Sequence, residues 1–209
     1  MKKIFFLVIF ILSFQNLSLS KDIQYFKIEG MKIGDSALNY FKESELEDNE
    51  QGWHNYSYKE YSTSLMPGKG IYDWFLISYR NGDNNFIIEA IAGGIEKINY
   101  NKKECVDNID SSALKISDNL KMPVNLKKKT YELAKDASRN YPFTGKSEVT
   151  SLSFNFIDGA EIILACYIMN KEAKQNESLL TLISNKKDTF RTEVQSHTFR
   201  NFLKKGKTE

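Results

Sequence analysis

The two cysteines, Cys105 and Cys166, constrain the fold more than any other feature of the sequence, because they are the only ones in the chain and both fall in apolar patterns. The first shares a helical spacing of four, four, three and four with Ile109, Ala113, Ile116 and Leu120. The second shares alternate, strand-like positions with Ile162, Leu164 and Ile168. These periods predict a helix and a strand with buried faces that carry the two sulfurs.

The N-terminus has the pattern of a secretion signal. Lys2 and Lys3 precede an apolar run from Ile4 to Leu12, and small residues lead to Ser20. A membrane span needs about 20 apolar residues, so we expect cleavage after Ser20. The alternative is an uncleaved signal anchor. We therefore expect a periplasmic or secreted protein without stable membrane insertion after cleavage.

Export makes a disulfide between Cys105 and Cys166 the expected state, because exported proteins fold in oxidising compartments. Such a bond would tie the helix to the sheet that it covers. The alternative is a catalytic thiol, but an apolar pattern is typical of an inert cysteine rather than an activated one.

The charge balance argues against nucleic-acid binding. The whole chain has 29 basic and 27 acidic residues, and the only charged residues in positions 1–20 are Lys2 and Lys3. Cleavage would therefore leave a chain with no basic excess, whereas nucleic-acid binders normally keep one.

The mature chain, residues 21–209, is predicted to be a single α+β domain. Hairpin-connected strands predict one or more antiparallel sheets, with helices packed on one face. Turn signals at Asn81-Gly82 and Asp158-Gly159 mark two of the hairpins. The order of elements also allows an alternative in which two halves, each with helices and a sheet, divide near residue 100.

Several further elements are predicted along this chain. A strand is expected over residues 23–29, and a helix from Ser36 to Leu46. A second helix is expected over 126–140, and a last hairpin between 179–184 and 189–195.

The sequence contains no recognisable motif for catalysis, cofactor binding or metal binding. The Gly-rich stretch 30–36 lacks the spacing of a phosphate-binding loop and fits a turn with a helix cap. A hydrolase using Asp35 and Ser36 would need a histidine base with a nearby acid, and His197 lacks one at the expected spacing. His54 and His197 each lack a second histidine at the spacing of a metal site. We therefore expect no metal site and no cofactor.

Aromatic residues form the best candidate for a binding surface. They fall on or next to two adjacent predicted strands: Trp53, Tyr56, Tyr58, Tyr72 and Trp74. Four of them share alternate positions and so predict one aromatic face, which either binds a partner or builds core.

Two resemblances rest on residues 28–38 (Ile-Glu-Gly-Met-Lys-Ile-Gly-Asp-Ser-Ala-Leu), Thr144–Ser147 and Cys166. Together with a Phe-rich strand, they resemble a group of small secreted proteins of AT-rich marine alphaproteobacteria, which implies export but no activity. The Gly-Met start is also similar to the small lipoproteins of outer-membrane assembly and the β-lactamase-inhibitor-like fold. That similarity implies a helix pair on an antiparallel sheet, although this chain lacks the lipid-anchoring cysteine.

These observations predict an exported binding or interaction module of the cell envelope that performs no catalysis. Its partner would be an unknown protein or a small-molecule ligand. The alternatives are a secreted hydrolase with an unfamiliar site and an assembly component of the cell envelope.

Overall fold

A computed structural model describes residues 23–51, 60–97, 100–123, 127–132, 147–169 and 188–205. The helices of this described part are α1 (Glu43–Asp48), α2 (Lys102–Leu120) and α3 (His197–Lys205). Its strands are β1 (Tyr61–Pro67), β2 (Trp74–Arg80), β3 (Ala90–Lys97), β4 (Lys129–Glu132), β5 (Glu148–Asn155), β6 (Glu161–Ile168) and β7 (Asp188–Gln195). Short 3₁₀ turns occur at Ile23–Tyr25 and Ala37–Asn39.

The strands form one antiparallel sheet in the order β1-β2-β3-β7-β6-β5-β4. Two meanders, β1–β3 and β4–β7, are joined where the last strand pairs with β3. The two candidate halves therefore share one sheet, and the predicted α+β class with an antiparallel sheet is confirmed.

Helix α2 covers one face of the sheet, which we call the helix face. The five residues predicted to form its apolar stripe are all buried: Cys105, Ile109, Ala113, Ile116 and Leu120. Asn101 begins the helix, since its side chain accepts a hydrogen bond from the Lys103 N–H at 2.9 Å. The stripe packs on Leu152, Leu164 and other inward side chains of the main core.

The predicted disulfide is present and joins α2 to β6. The Cα atoms of Cys105 and Cys166 are 5.8 Å apart, within the usual range for this bond. Both residues are almost fully buried, so the bond lies inside the core, between the helix and the sheet.

Helix α3 adds a second layer, on the face of the sheet opposite α2. Its Phe199 and Phe202 pack on Tyr61 and Ala90, which point away from the main core. Arg200 fixes the helix to the β5–β6 hairpin through an ion pair with Glu161 at 2.8 Å. Helices thus lie on both faces, and α3 covers only one end of the second face.

Three local predictions differ from the structure. Residues 23–29 form a 3₁₀ turn and an isolated bridge instead of a strand. The helix expected from Ser36 is instead a short 3₁₀ turn, Ala37–Asn39, followed by the separate helix α1, and the Ala37 N–H bonds to the Phe86 carbonyl of the β2–β3 loop. Part of the helix expected over 126–140 is the edge strand β4, paired with β5.

None of the helices in the described part of the chain is long and apolar enough to cross a bilayer.

Candidate functional site

The structure separates the predicted aromatic surface. Tyr72 lies over Gly93, on the helix face, and Trp74 lies over Gly94, on the second face. Consecutive strand residues point to opposite faces, so Tyr72 and Trp74 do not line one surface. The alternation fails because Tyr72 precedes β2 and curls back onto the Phe75 ring, 5.6 Å away.

Both aromatics of this pair have packing roles. Trp74 is 6% exposed, and its indole N–H donates to Glu96 Oε1 at 2.8 Å. Burial raises the pKa of the Tyr72 phenol above its usual value. Trp53, Tyr56 and Tyr58 lie outside the described residues, so their part of the predicted surface stays a prediction.

The residues considered for a hydrolase have structural roles as well. Ser36 Oγ accepts from the Leu38 N–H at 3.2 Å and donates to the Asn85 carbonyl at 2.6 Å. Asp35 accepts from the Tyr40 hydroxyl at 2.7 Å, and this bond raises the Tyr40 pKa to about 12. Within the described ranges, the hydrogen bonds of Asp35 and Ser36 include none to a histidine.

His197 is the histidine of the described part of the chain, and its bond is to a residue of its own helix. His197 is exposed at the start of α3 and bonds to the Asn201 side chain at 2.7 Å, while His54 lies outside the described residues. The nearby Ser196 caps α3 by accepting from the Phe199 N–H at 3.1 Å, and its hydroxyl donates to Glu89. Among the described residues there is also no group of three or more potential metal ligands.

A different cluster, in the middle of the second face, combines charge and burial. Arg191 and Glu193 are alternate residues of the central strand β7, and their side chains are only 17% and 14% exposed. Arg191 Nη2 and Glu193 Oε2 are 2.8 Å apart. The other carboxylate oxygen of Glu193 accepts from Gln195 Nε2 at 2.7 Å, so Glu193 does not bind Arg191 with both oxygens.

One donor of Arg191 stays unpaired as a result. Its Nε is buried and has no hydrogen-bond partner within the described ranges. Arg200, on α3, differs because each of its three nitrogens has an acceptor: Glu161 at 2.8 Å, the Gly159 carbonyl at 3.1 Å and Asn155 Oδ1 at 2.7 Å. A buried N–H without an acceptor costs about 1–3 kcal/mol, so the unpaired Nε of Arg191 calls for an explanation.

Electrostatics keep the cluster charged and its phenols protonated. Burial disfavours the guanidinium of Arg191, but Glu193 and the Tyr167 phenol outweigh it, and the pKa of Arg191 lies above its usual value. Burial also raises the pKa of Tyr167 and of Tyr131. Both phenols therefore stay protonated at neutral pH, and Tyr167 also hydrogen-bonds to Arg191.

The cluster borders a partly accessible area of the same face. Of the side chains that the strand register places there, we call the eight that are half-buried or exposed the Arg191 patch: Lys129, Tyr131, Ser151, Ser153, Ile163, Tyr167, Arg191 and Glu193. Lys129, Tyr131 and Ser153 are exposed, and the other five are half-buried. The patch is the surface of the described chain that best fits a binding role, because it combines accessible hydroxyls with an unpaired buried donor.

The sequence contained a sign of this site that was missed. Arg191, Glu193 and Gln195 alternate along one strand, which marks the polar face of an antiparallel sheet. The local pattern predicts only that they lie on a last hairpin, where such a polar face is ordinary. Only the pairing of β7 with both β3 and β6 puts them at the centre of the sheet.

Comparison of the chain with protein-family models, curated proteins and solved structures found no match. The resemblances to secreted alphaproteobacterial proteins and to the assembly lipoproteins therefore stay predictions.

Proposed function

We propose that this chain is an exported binding module without catalytic activity, and that it takes a small ligand on the Arg191 patch. The observation that carries the proposal is the unpaired, buried Nε of Arg191 on a central strand, beside accessible side chains. A ligand that supplies an acceptor to this donor would offset a free-energy cost that the fold otherwise bears.

Export rests on two further observations. Residues 1–20 have the composition of a cleavable signal, and the disulfide that ties α2 to β6 needs an oxidising compartment to form and persist. The resemblance to small secreted proteins supports the same location, a periplasmic or secreted one.

We expect the protein recovered from an exporting host to have lost residues 1–20 and to begin at Lys21. Intact mass spectrometry with and without reductant, followed by alkylation, measures both points. Neither cysteine should react with the alkylating reagent before reduction, and both should react after reduction and unfolding. A full-length mass would contradict cleavage, and two thiols that react in the native protein would contradict the bond.

Binding is tested by nuclear magnetic resonance on the isotope-labelled mature chain. We expect members of a fragment library of mixed charge to shift the amide signals of Ser151, Ser153 and Ile163, which lie on the patch. Signals of α2, such as Asp107, serve as the internal control because that helix covers the opposite face. Shifts confined to α2, or no shift with any fragment, would contradict the proposed function.

A further inference from the structure

The chemistry of the ligand follows from the donors on the patch, and this inference rests on the proposed binding function. Arg191, Ala165, Ser151 and Lys129 lie on one register line across β7, β6, β5 and β4, and all four point to the second face. The two cationic residues are thus separated only by an alanine and a serine.

The distance between the two cations suits a single shared group. Neighbouring strands are about 4.8 Å apart, so three steps place the Cα atoms of Arg191 and Lys129 about 14 Å apart. Both side chains are long, and the residues between them are small. Both cations can therefore reach one group that lies over the half-buried Ser151, next to the buried Ala165.

The hydrogen-bonding groups around this line are mainly donors. Tyr167 and Tyr131 flank it on one side, and Ser153 lies on the other. The nearby carboxylates are already held: Glu193 by Arg191 and Gln195, and Glu161 by Arg200. Beyond Arg191, on β3, Glu96 accepts from the Trp74 indole. Among the described strand residues, none that the register places between Arg191 and Lys129 carries a carboxylate.

We propose that the Arg191 patch binds its ligand through a carboxylate or phosphate group, placed between Arg191 and Lys129 over the half-buried Ser151 and beside the buried Ala165. Such a group accepts several hydrogen bonds at once, and charge-assisted bonds to guanidinium and ammonium groups are the stronger kind. The unpaired Nε of Arg191 is one of these charged donors, and the hydroxyls of Ser151 and Tyr167 are neutral donors beside it.

The probes are inorganic phosphate, succinate and the neutral analogue succinamide, each titrated at constant ionic strength into the labelled mature chain. We expect phosphate and succinate to shift the amide signals of Ala165 and Ser151 and succinamide to leave them unchanged. Lys129→Gln should weaken succinate binding about tenfold, the size expected for the loss of one charge-assisted bond. Lys103→Gln, on exposed α2, is the matched control and should not change it.

The outcomes separate the two proposals. Equal binding of succinate and succinamide at these amides, or equal effects of Lys129→Gln and Lys103→Gln, would overturn the anionic ligand and leave the binding function in place. Neutral fragments that shift the same amides, with no shift from either anion, would do the same. If no compound of any charge shifts the patch, the proposed function itself fails.

Discussion

Reduction of the Cys105–Cys166 bond is expected to lower the free energy of unfolding by about 4 kcal/mol in the chain-entropy account, and by about 2 kcal/mol if native strain offsets part of it. The bond closes a loop with a sequence separation of 61 residues, and a longer loop removes more freedom from the unfolded chain. Since a domain is stable by only about 5–15 kcal/mol, this is a large fraction of the total.

The measurement is urea unfolding of the oxidised and the reduced wild type, which contain the same side chains. The double variant Cys105→Ala/Cys166→Ala is the control, because reductant should not change its unfolding midpoint. Hydrogen exchange at Ile109 should also accelerate on reduction, since the bond holds the first turns of α2 on β6. An identical midpoint for the oxidised and the reduced wild type would contradict a stabilising bond.

The long helix and the hairpins could be read from the sequence because their signals are local. Five apolar positions at helical spacing identify α2, and all five lie within the observed helix, Lys102–Leu120. Gly82 and Gly159 have φ values of +76° and +86°. A turn at these positions needs that conformation, and glycine adopts it without strain.

The predictions that were wrong concern segments whose structure depends on contacts between residues distant in the sequence. The helix expected from Ser36 is divided into a 3₁₀ turn and α1, and the turn bonds through Ala37 to Phe86 in the β2–β3 loop. β4 lies in a lysine-rich segment that favours a helix locally, yet it pairs with β5 over Lys129–Glu132. The local sequence of this segment does not indicate that β5 will pair with it.

The candidate site shows the same limit. Its chemistry was visible as Arg191, Glu193 and Gln195 in alternation, but its importance depends on the position of β7 between β3 and β6. Residues of β3 and β7 that pair are about a hundred positions apart, as Gly94 and Arg191 are. The prediction that Tyr72 and Trp74 share one face was wrong for a related reason. It assumed that the alternation of a strand continues back to Tyr72, but Tyr72 lies before β2 begins.

Glu193→Leu is expected to destabilise the fold by about 2–3 kcal/mol, because it leaves the guanidinium of Arg191 without its ion-pair partner in a mostly buried place. This expected loss of stability lies at or below the low end of the range for breaking buried ion pairs, because about a sixth of each side chain is exposed to solvent. The double variant Arg191→Met/Glu193→Leu removes both charges, and we expect its stability to return close to that of the wild type. Urea unfolding of the two variants measures this difference.

The comparison of stability with binding then decides why a charged pair occupies a central strand. An apolar pair would fill the same space without an unpaired N–H, so stability alone gives no reason for Arg191. We expect the double variant to fold and to lose succinate binding at Ser151 and Ala165, which would assign the pair to ligand recognition. A double variant as unstable as Glu193→Leu would instead mean that the charges hold β7 in place, and Arg191 would then belong to the architecture of the sheet.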